Sequence, residues 1–367
     1  MIESAYLHVP FCHSICAYCA FERSANLKQI DAWLDVICDE VQTTLDQAKQ
    51  NDPNFKLKTI YFGGGTPSVL SCTQLSRLAS LFSDVFDSSG EWTIEANPES
   101  ITLEWLQTAR SLGINRISIG IQTFDENRLK TLNRHHTPLQ AKEAVALCRQ
   151  VGFESISVDL IYGFAKQTMA DLNADLDAFL ELDIDHLSIY SLILEPDSAL
   201  GKRNYVPLDE ESNALMYEQI EKRLIQAGFE HYEVSSFARN KKYGLHNSLI
   251  WDDGQYFGFG FGAIGRDDHG LYHHSGTLRQ YIQKQSKIEY EENANPWFDA
   301  IMTGLRTQVG LNIQKWNLRY GFDFKKRYFD VLEKYEQYFV EQNERISLTK
   351  QGMEILDTIL VEFLMED

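Results

Sequence analysis

Residues 4–19 read SAYLHVPFCHSICAYC. SAYLHV (4–9) has the composition of a strand, and directly after it Cys12, Cys16 and Cys19 fall in a C-x3-C-x2-C pattern on one short loop. Three thiolates so placed can converge on a soft metal centre, and three ligands leave one iron of a four-iron cluster open to another molecule. A structural zinc usually has four closed ligands, so zinc would have to recruit His8 or His13. An iron–sulfur cluster is the first reading of the triplet and zinc the alternative.

Working outward from this stretch, β-like runs alternate with segments of helical periodicity. The cysteine loop leads to an amphipathic stretch from about Asp31 to Lys49. KTIYF (58–62) precedes GGGTPS and a helix expected through about Phe86, and WTIEAN (92–97) precedes a helix expected over Pro98–Leu112. RISIGIQ (116–122) precedes two helical pieces, ISVDLIYG (156–163) precedes a helix over Met169–Leu182, and HLSIYSLIL (186–194) closes the series. Such alternation implies parallel strands joined by right-handed crossovers. Periodicity alone allows a curved (β/α)6 partial barrel or a flat doubly wound sheet. The Gly-rich and polar positions fall at the carboxyl ends of nearly all six strands, which meet around one mouth in a barrel, and this favours the partial TIM-like barrel.

After residue 200 the pattern changes. Residues 201–228 read as a charged loop and helix, FEHYEVSSFA (229–238) as extended, and GQYFGFGFGAIG (254–265) as a Gly/aromatic stretch suited to close backbone approach or a bulged strand. From about Asn295 the chain reads as mostly helical, with a short polar break and LTKQG (348–352) opening the last helix. The expected division is a barrel over 1–240, a connecting region over 241–290, and a smaller helical domain over 291–367.

The chain has 367 residues, 44% of them hydrophobic, with 34 Lys+Arg against 53 Asp+Glu, a formal charge of −19. No run approaches the roughly 18 apolar residues needed to span a membrane. The acidity, with no Lys/Arg cluster, argues against nucleic acid as a partner. The first twenty residues lack a signal-peptide pattern, which points to the cytosol, where disulfides are disfavoured. Cys38, Cys72 and Cys148 lie on predicted helices and read as small packed residues.

The cysteine pattern, with Tyr18 just before Cys19, resembles the signature of the radical S-adenosylmethionine (SAM) superfamily. The resemblance implies a [4Fe–4S] cluster on Cys12, Cys16 and Cys19, SAM on its fourth iron, and reductive cleavage of SAM to a 5′-deoxyadenosyl radical. YFGGGTPS, IEANPE, SIGIQTFDENRLKTLNRHH, SVDLIYGFAKQT, HLSIYSLILEP and YEVSSFA further resemble the oxygen-independent coproporphyrinogen oxidase group and its heme-chaperone branch. Carried over, that likeness makes Tyr6 and Tyr18 aromatics of the SAM pocket, and Gly64, Gly65 and Thr66 the loop for the methionine amino group. It makes Glu95 a ribose or amino contact, and Gln122, Arg134 and Asp159 polar contacts in the same cavity. His135 and His136 read as neighbours of that cavity at most.

Two departures point away from the decarboxylating oxidase. Phe21 stands where its motif continues with a fourth cysteine, and only eleven residues precede Cys12, too few for the oxidase's leading extension. The chaperone branch carries an H-N-x-x-Y-W signature, matched here by His246, Asn247 and Trp251, with Ile250 in place of the tyrosine. On this likeness His246 is a candidate heme ligand, and the Gly/aromatic stretch at 254–262 a candidate flat apolar wall. The resemblance implies a heme chaperone more than an enzyme, with heme and an unidentified heme-acceptor protein as partners. The alternatives are the coproporphyrinogen III oxidase and a non-catalytic zinc or interaction module.

Overall fold

The computed structural model describes residues 2–292 and 295–366. Six parallel strands, β1 (Ser4–Val9), β2 (Leu57–Gly64), β3 (Phe86–Ala96), β4 (Arg116–Gln122), β5 (Ser155–Tyr162) and β6 (His186–Ser191), lie side by side in chain order. A doubly wound sheet reverses its strand order partway, whereas this sheet does not, so the partial (β/α)6 barrel is the one formed.

Period-2 alternation decides what faces where. One face of these strands presents Leu7, Ile60, Phe62, Trp92, Ile94, Ile117, Ile119, Val158 and Leu187, all fully buried, against a ring of helices. The other face, inside the barrel, is polar: Ser4 stands opposite Thr59, Tyr6 opposite Tyr61, Glu95 opposite Ser118, and Asp159 opposite Ser188. Buried polar groups need partners, and they find them across the interior, with Thr59 Oγ1 donating to Ser4 Oγ at 2.9 Å and Arg116 to Ser155 Oγ at 2.8 Å.

The sheet continues past both ends of the barrel. The antiparallel pair β7 (Glu230–Glu233) and β8 (Ser236–Ala238) flanks β6. The Gly/aromatic stretch becomes β9 (Tyr256–Phe259), parallel to β1, followed by β10 (Ile264–Asp267), β11 (Gly270–His274) and β12 (Ile288–Tyr290). Gly258 is needed there because a Cβ would lie 2.4 Å from the Gly265 nitrogen. Phe259 is buried in this sheet, so the expected free apolar wall is an internal strand instead.

Two helix boundaries also differ from expectation. The helix after GGGTPS ends at Ala79, and Phe86 opens β3. Pro98–Ser100 is a separate turn, because Thr102 caps a new helix over Leu103–Ser111.

The C-terminal domain is mostly helical and has its own core around Trp316, Phe324, Tyr328 and Phe363. It also holds a small sheet, β13 (Leu311–Asn312), β14 (Phe339–Gln342) and β15 (Arg345–Leu348), where a polar break was expected. Thr349 caps a short helix over Lys350–Glu354, and the last helix, Leu356–Met365, follows it. Among the described residues no helix is long and apolar enough to cross a membrane.

Asp253 joins this domain to the barrel. Its buried carboxylate takes Arg266 at 2.5 Å and Arg319 at 2.7 Å. Removing one partner of a buried ion pair leaves the other uncompensated, at a cost of roughly 3–5 kcal/mol. Asp253→Ala is expected to make limited proteolysis release a C-terminal fragment from otherwise folded protein, whereas an unchanged digestion pattern would show that the latch is dispensable.

Candidate radical SAM site at the barrel mouth

The carboxyl ends of β1–β6 surround a cavity of about 410 Å3 that Cys12, Cys16 and Cys19 line together. The cysteine loop is clamped from two sides. Ala17 N–H donates to the Leu132 carbonyl at 2.8 Å, and the Ala17 carbonyl accepts from Leu200 N–H at 2.8 Å. Asn133 Nδ2 adds a bond to the Ile15 carbonyl at 2.8 Å. The loops after β4 and β6 therefore position the thiols.

The glycines beside the loop are required by packing. A Cβ on Gly65 would lie 2.7–2.8 Å from backbone atoms of Val9 and Phe11, and Gly64 has φ +107° with the His8 ring 2.5 Å from a would-be Cβ. Both are positions where a side chain forces the backbone to move, so the triple glycine is more than a turn.

Arg134 is the hub of the site. Its side chain is buried, with Nη1 donating to Cys16 Sγ at 3.5 Å and Nη2 donating to Asn97 Oδ1 at 2.9 Å and to the Gly120 carbonyl. Asn97 Nδ2 in turn donates to Thr66 Oγ1 at 3.4 Å, and Thr66 Oγ1 donates to Cys12 Sγ at 3.5 Å. Among the described residues Arg134 Nε is buried without a partner, a donor left for a bound group.

Glu95 Oε1 accepts from Tyr61 OH at 2.7 Å, and Oε2 from Gly64 N–H at 3.1 Å. Burial pushes its carboxyl up to about 7, aided by the charge of Asp159 and opposed by those two hydrogen bonds. Burial likewise pushes Asp159 up to about 6, against the pull of Arg134 and the Ser188 and Ser118 hydroxyls. A cavity holding two carboxylates reluctant to ionise is suited to a cationic ligand, whose charge would stabilise them. Gln122 ends β4 at φ +73°, beside a register shift in the β4–β5 pairing, so backbone strain is held at the rim.

The three cysteines, Tyr18, Gly64, Gly65, Thr66, Glu95, Gln122, Arg134 and Asp159 are all brought together here. Two expected residues are not. Tyr6 lies in the layer beneath, its hydroxyl 3.1 Å from His8 Nδ1 and its ring 6.0 Å from that of Tyr61. His246 is at the opposite end, in the Leu245–Trp251 helix that plugs the barrel floor through Leu245 and His246 N–H bonds to Glu91. Its ring is 2% exposed, Nδ1 is 3.0 Å from Thr59 Oγ1, and burial pushes its pKa down to about 3. The ring is enclosed at the floor, away from the mouth cavity, and its Nε2 has no hydrogen-bond partner among the described residues.

Asn97, Ser118 and Tyr190 line the cavity without having been expected there. Ser118 was recoverable, since it stands opposite Glu95 in register and shares its inward face. His135 bonds Ser14 Oγ at 2.8 Å and His136 the Ile121 carbonyl at 3.1 Å, so both brace loops around the mouth.

The donor set fits a cluster better than a single ion. Among the described residues no three His, Cys, Asp or Glu side chains converge to hold one metal ion. His8 has Nε2 on the Glu22 carbonyl at 2.8 Å and Nδ1 near Tyr6, and His13 is exposed, so neither completes a zinc site. Burial pushes the Cys12 thiol up to about 11 and raises Cys19, so these sulfurs would ionise only against a cationic centre.

Comparison with known proteins agrees with this geometry. Residues 6–179 match the radical SAM superfamily, and residues 292–355 match the HemN C-terminal domain. The chain is thus a radical SAM protein carrying that accessory domain. It is 34% identical to the heme chaperone HemW of Lactococcus lactis, over 100% of this chain and 98% of that one, and 32% identical to HemW of Bacillus subtilis, over 100% of both. The chain belongs to the HemW family. Coproporphyrinogen III oxidase (HemN) from Escherichia coli shares the fold at TM-score 0.81 and 23% identity, covering 98% of this chain and 89% of that one.

Two outcomes are expected of the site. Gly65→Ala should displace the cysteine loop and lower the iron bound per chain after reconstitution, as metal analysis would read; full occupancy would show that the loop yields freely. Glu95 and Asp159 rise from ordinary values of 4.5 and 3.8. The folded, ligand-free chain therefore keeps protons that the unfolded chain has released, and their stabilising contribution is lost as pH rises from about 4 through 7. Thermal melts across that range should fall toward neutrality, and Glu95→Gln should flatten the fall.

Proposed function

We propose that this chain is a heme chaperone that holds a [4Fe–4S] cluster on Cys12, Cys16 and Cys19 and binds SAM in the mouth cavity. In this reading it passes heme to an acceptor protein. The observation that carries it is full-length relatedness to HemW in a chain whose mouth keeps the cysteine triplet and polar strand ends in one cavity. When bound, a reduced cluster of this kind supplies one electron to the sulfonium of SAM.

The chain's own residues do the holding. Thr66 and Arg134 hydrogen-bond two of the ligating sulfurs. The Gly63–Gly65 turn lets the ligand's amino end approach the backbone, and Glu95 and Asp159 offer carboxylates to its cationic groups. Tyr18 and Ile161 supply wall surface for the adenine. His246 acts in this reading as a neutral floor residue that positions the Leu245–Trp251 helix through Thr59. Six free cysteines and an acidic, unspanned chain fit the cytosol.

The oxidase reading receives less support, because likeness to that enzyme at 23% identity speaks for the fold alone. Phe21, in the position of the oxidase's extra cysteine, is 66% exposed at the rim. Anaerobic incubation of reconstituted protein with hemin, followed by mixing with apomyoglobin as a surrogate acceptor, tests the reading. Retention of hemin on the chain and its transfer to apomyoglobin are expected. Conversion of coproporphyrinogen with SAM and reductant, without hemin retention, would make the chain an oxidase instead.

A further inference from the structure

Glu95 is held at both oxygens by the chain itself, Oε1 by the Tyr61 hydroxyl at 2.7 Å and Oε2 by the Gly64 N–H at 3.1 Å. A carboxylate oxygen accepts two hydrogen bonds, so each keeps capacity for a ligand. The two donors differ in kind. The Gly64 N–H is main chain, which almost any sequence supplies, whereas the phenol depends on the side chain at position 61.

The strand makes room for that phenol. Tyr61 and Gly63 share the inward face of β2, two residues apart. A Cβ on Gly63 would lie 2.7 Å from the Tyr61 ring and 3.0 Å from Glu95 Oε1. Unlike Gly64, Gly63 has no left-handed backbone to account for it, so the Tyr61–Glu95 pair is what its missing side chain accommodates. The Tyr61 ring is further confined by the Tyr6 ring at 6.0 Å and the His246 ring at 5.2 Å. The helix that plugs the floor thereby supports, through one ring, a hydrogen bond at the mouth.

We propose that Tyr61 is a positioning residue of the mouth cavity, whose hydroxyl holds Glu95 in the orientation and the ionised form that a cationic ligand such as SAM requires. The inference rests on the SAM reading above. Tyr61 stands beneath the cavity and not in its lining, so it acts through Glu95 and not on the ligand.

A phenol that donates to a carboxyl group favours the carboxylate. Burial opposes it and holds Glu95 at about 7 even with this hydrogen bond in place. Near neutrality the loss of one donor therefore changes the ionised fraction most. The groups facing Glu95 are Tyr6 from β1, Tyr61 from β2, Asp159 from β5 and Tyr190 from β6, with Arg134 engaged on Cys16 and Asn97 across the cavity. Burial raises all three phenols, so they stay protonated here, and Asp159, pushed up to about 6, opposes the ionisation of Glu95 once charged. A cation binds best to the carboxylate, so affinity rises with pH through the range where Glu95 ionises. Removing the Tyr61 donor moves that range upward. The loss is then largest at and below neutrality and is recovered at higher pH.

Equilibrium dialysis of SAM against the reconstituted full-length protein, from about pH 6 to about pH 8.5, tests this with Tyr61→Phe, Glu95→Ala and the double variant. Each is checked for native circular dichroism and for iron content. Tyr61→Phe is expected to bind about fivefold more weakly than wild type at neutral pH and to approach it at the alkaline end. Glu95→Ala should bind weakly with a flatter pH profile, and adding Tyr61→Phe to it should cost nothing further. The ionisation of SAM itself is common to all four proteins and drops out of the comparison. A Tyr61→Phe variant that matches wild type throughout, that loses the same factor at every pH, or that adds its loss to that of Glu95→Ala would overturn the proposal while leaving SAM binding intact. If wild type binds no SAM, the SAM reading fails and this inference with it.

Discussion

The interior of the barrel is polar, and most of the structure follows from that constraint. Hydroxyls, carboxylates and one guanidinium on the inward face of β1–β6 cannot be left unpaired away from water, because each unpaired group costs about 1–3 kcal/mol. They pair with one another in layers where the interior is closed, as Ser4 does with Thr59 and Arg116 with Ser155. Where the strands end, the same face opens into a cavity with capacity left over, visible in Arg134 Nε and in two carboxylates held toward their neutral forms. Binding capacity is what remains of an interior network at its open end.

The two ends of the barrel then take different tasks. At the mouth, loops that need no side-chain bulk at Gly64 and Gly65 bring the cysteine sulfurs against Thr66 and Arg134. At the floor, the Leu245–Trp251 helix closes the barrel with its first N–H groups on Glu91. The His-Asn-x-x-x-Trp motif belongs to this closure. Its residue types suggested a ligand, and the fold places His246 as a buried, neutral ring at the floor with Nε2 lacking a hydrogen-bond partner among the described residues.

The six β/α units were legible because each strand is short, apolar on alternate residues and followed by a helix, so the information is local. The barrel itself could be argued from Gly63–Gly65, Glu95 and Gln122, at or near carboxyl ends, with Asp159 as a polar residue within an otherwise apolar strand. What could not be read was pairing at long range: nothing near Tyr256 indicates that β9 lies parallel to β1, more than 240 residues earlier. The β14–β15 hairpin was hidden for a different reason. Its two turn residues, Asn343 and Glu344, both have positive φ, a turn usually signalled by Asn-Gly, and glutamate removes the signal. Asn97 was missed because its role as the link between Arg134 and Thr66 exists only once three strand ends converge.

The proposed function depends on the thiol triplet at the mouth holding a cluster with one iron open to SAM. Its most direct test is anaerobic reconstitution with iron and sulfide, elemental analysis, and electron paramagnetic resonance of the reduced protein with and without SAM. About four irons and four acid-labile sulfides per chain are expected, with a spectrum that changes when SAM is added. One zinc per chain without acid-labile sulfide, or a cluster signal indifferent to SAM, would contradict it.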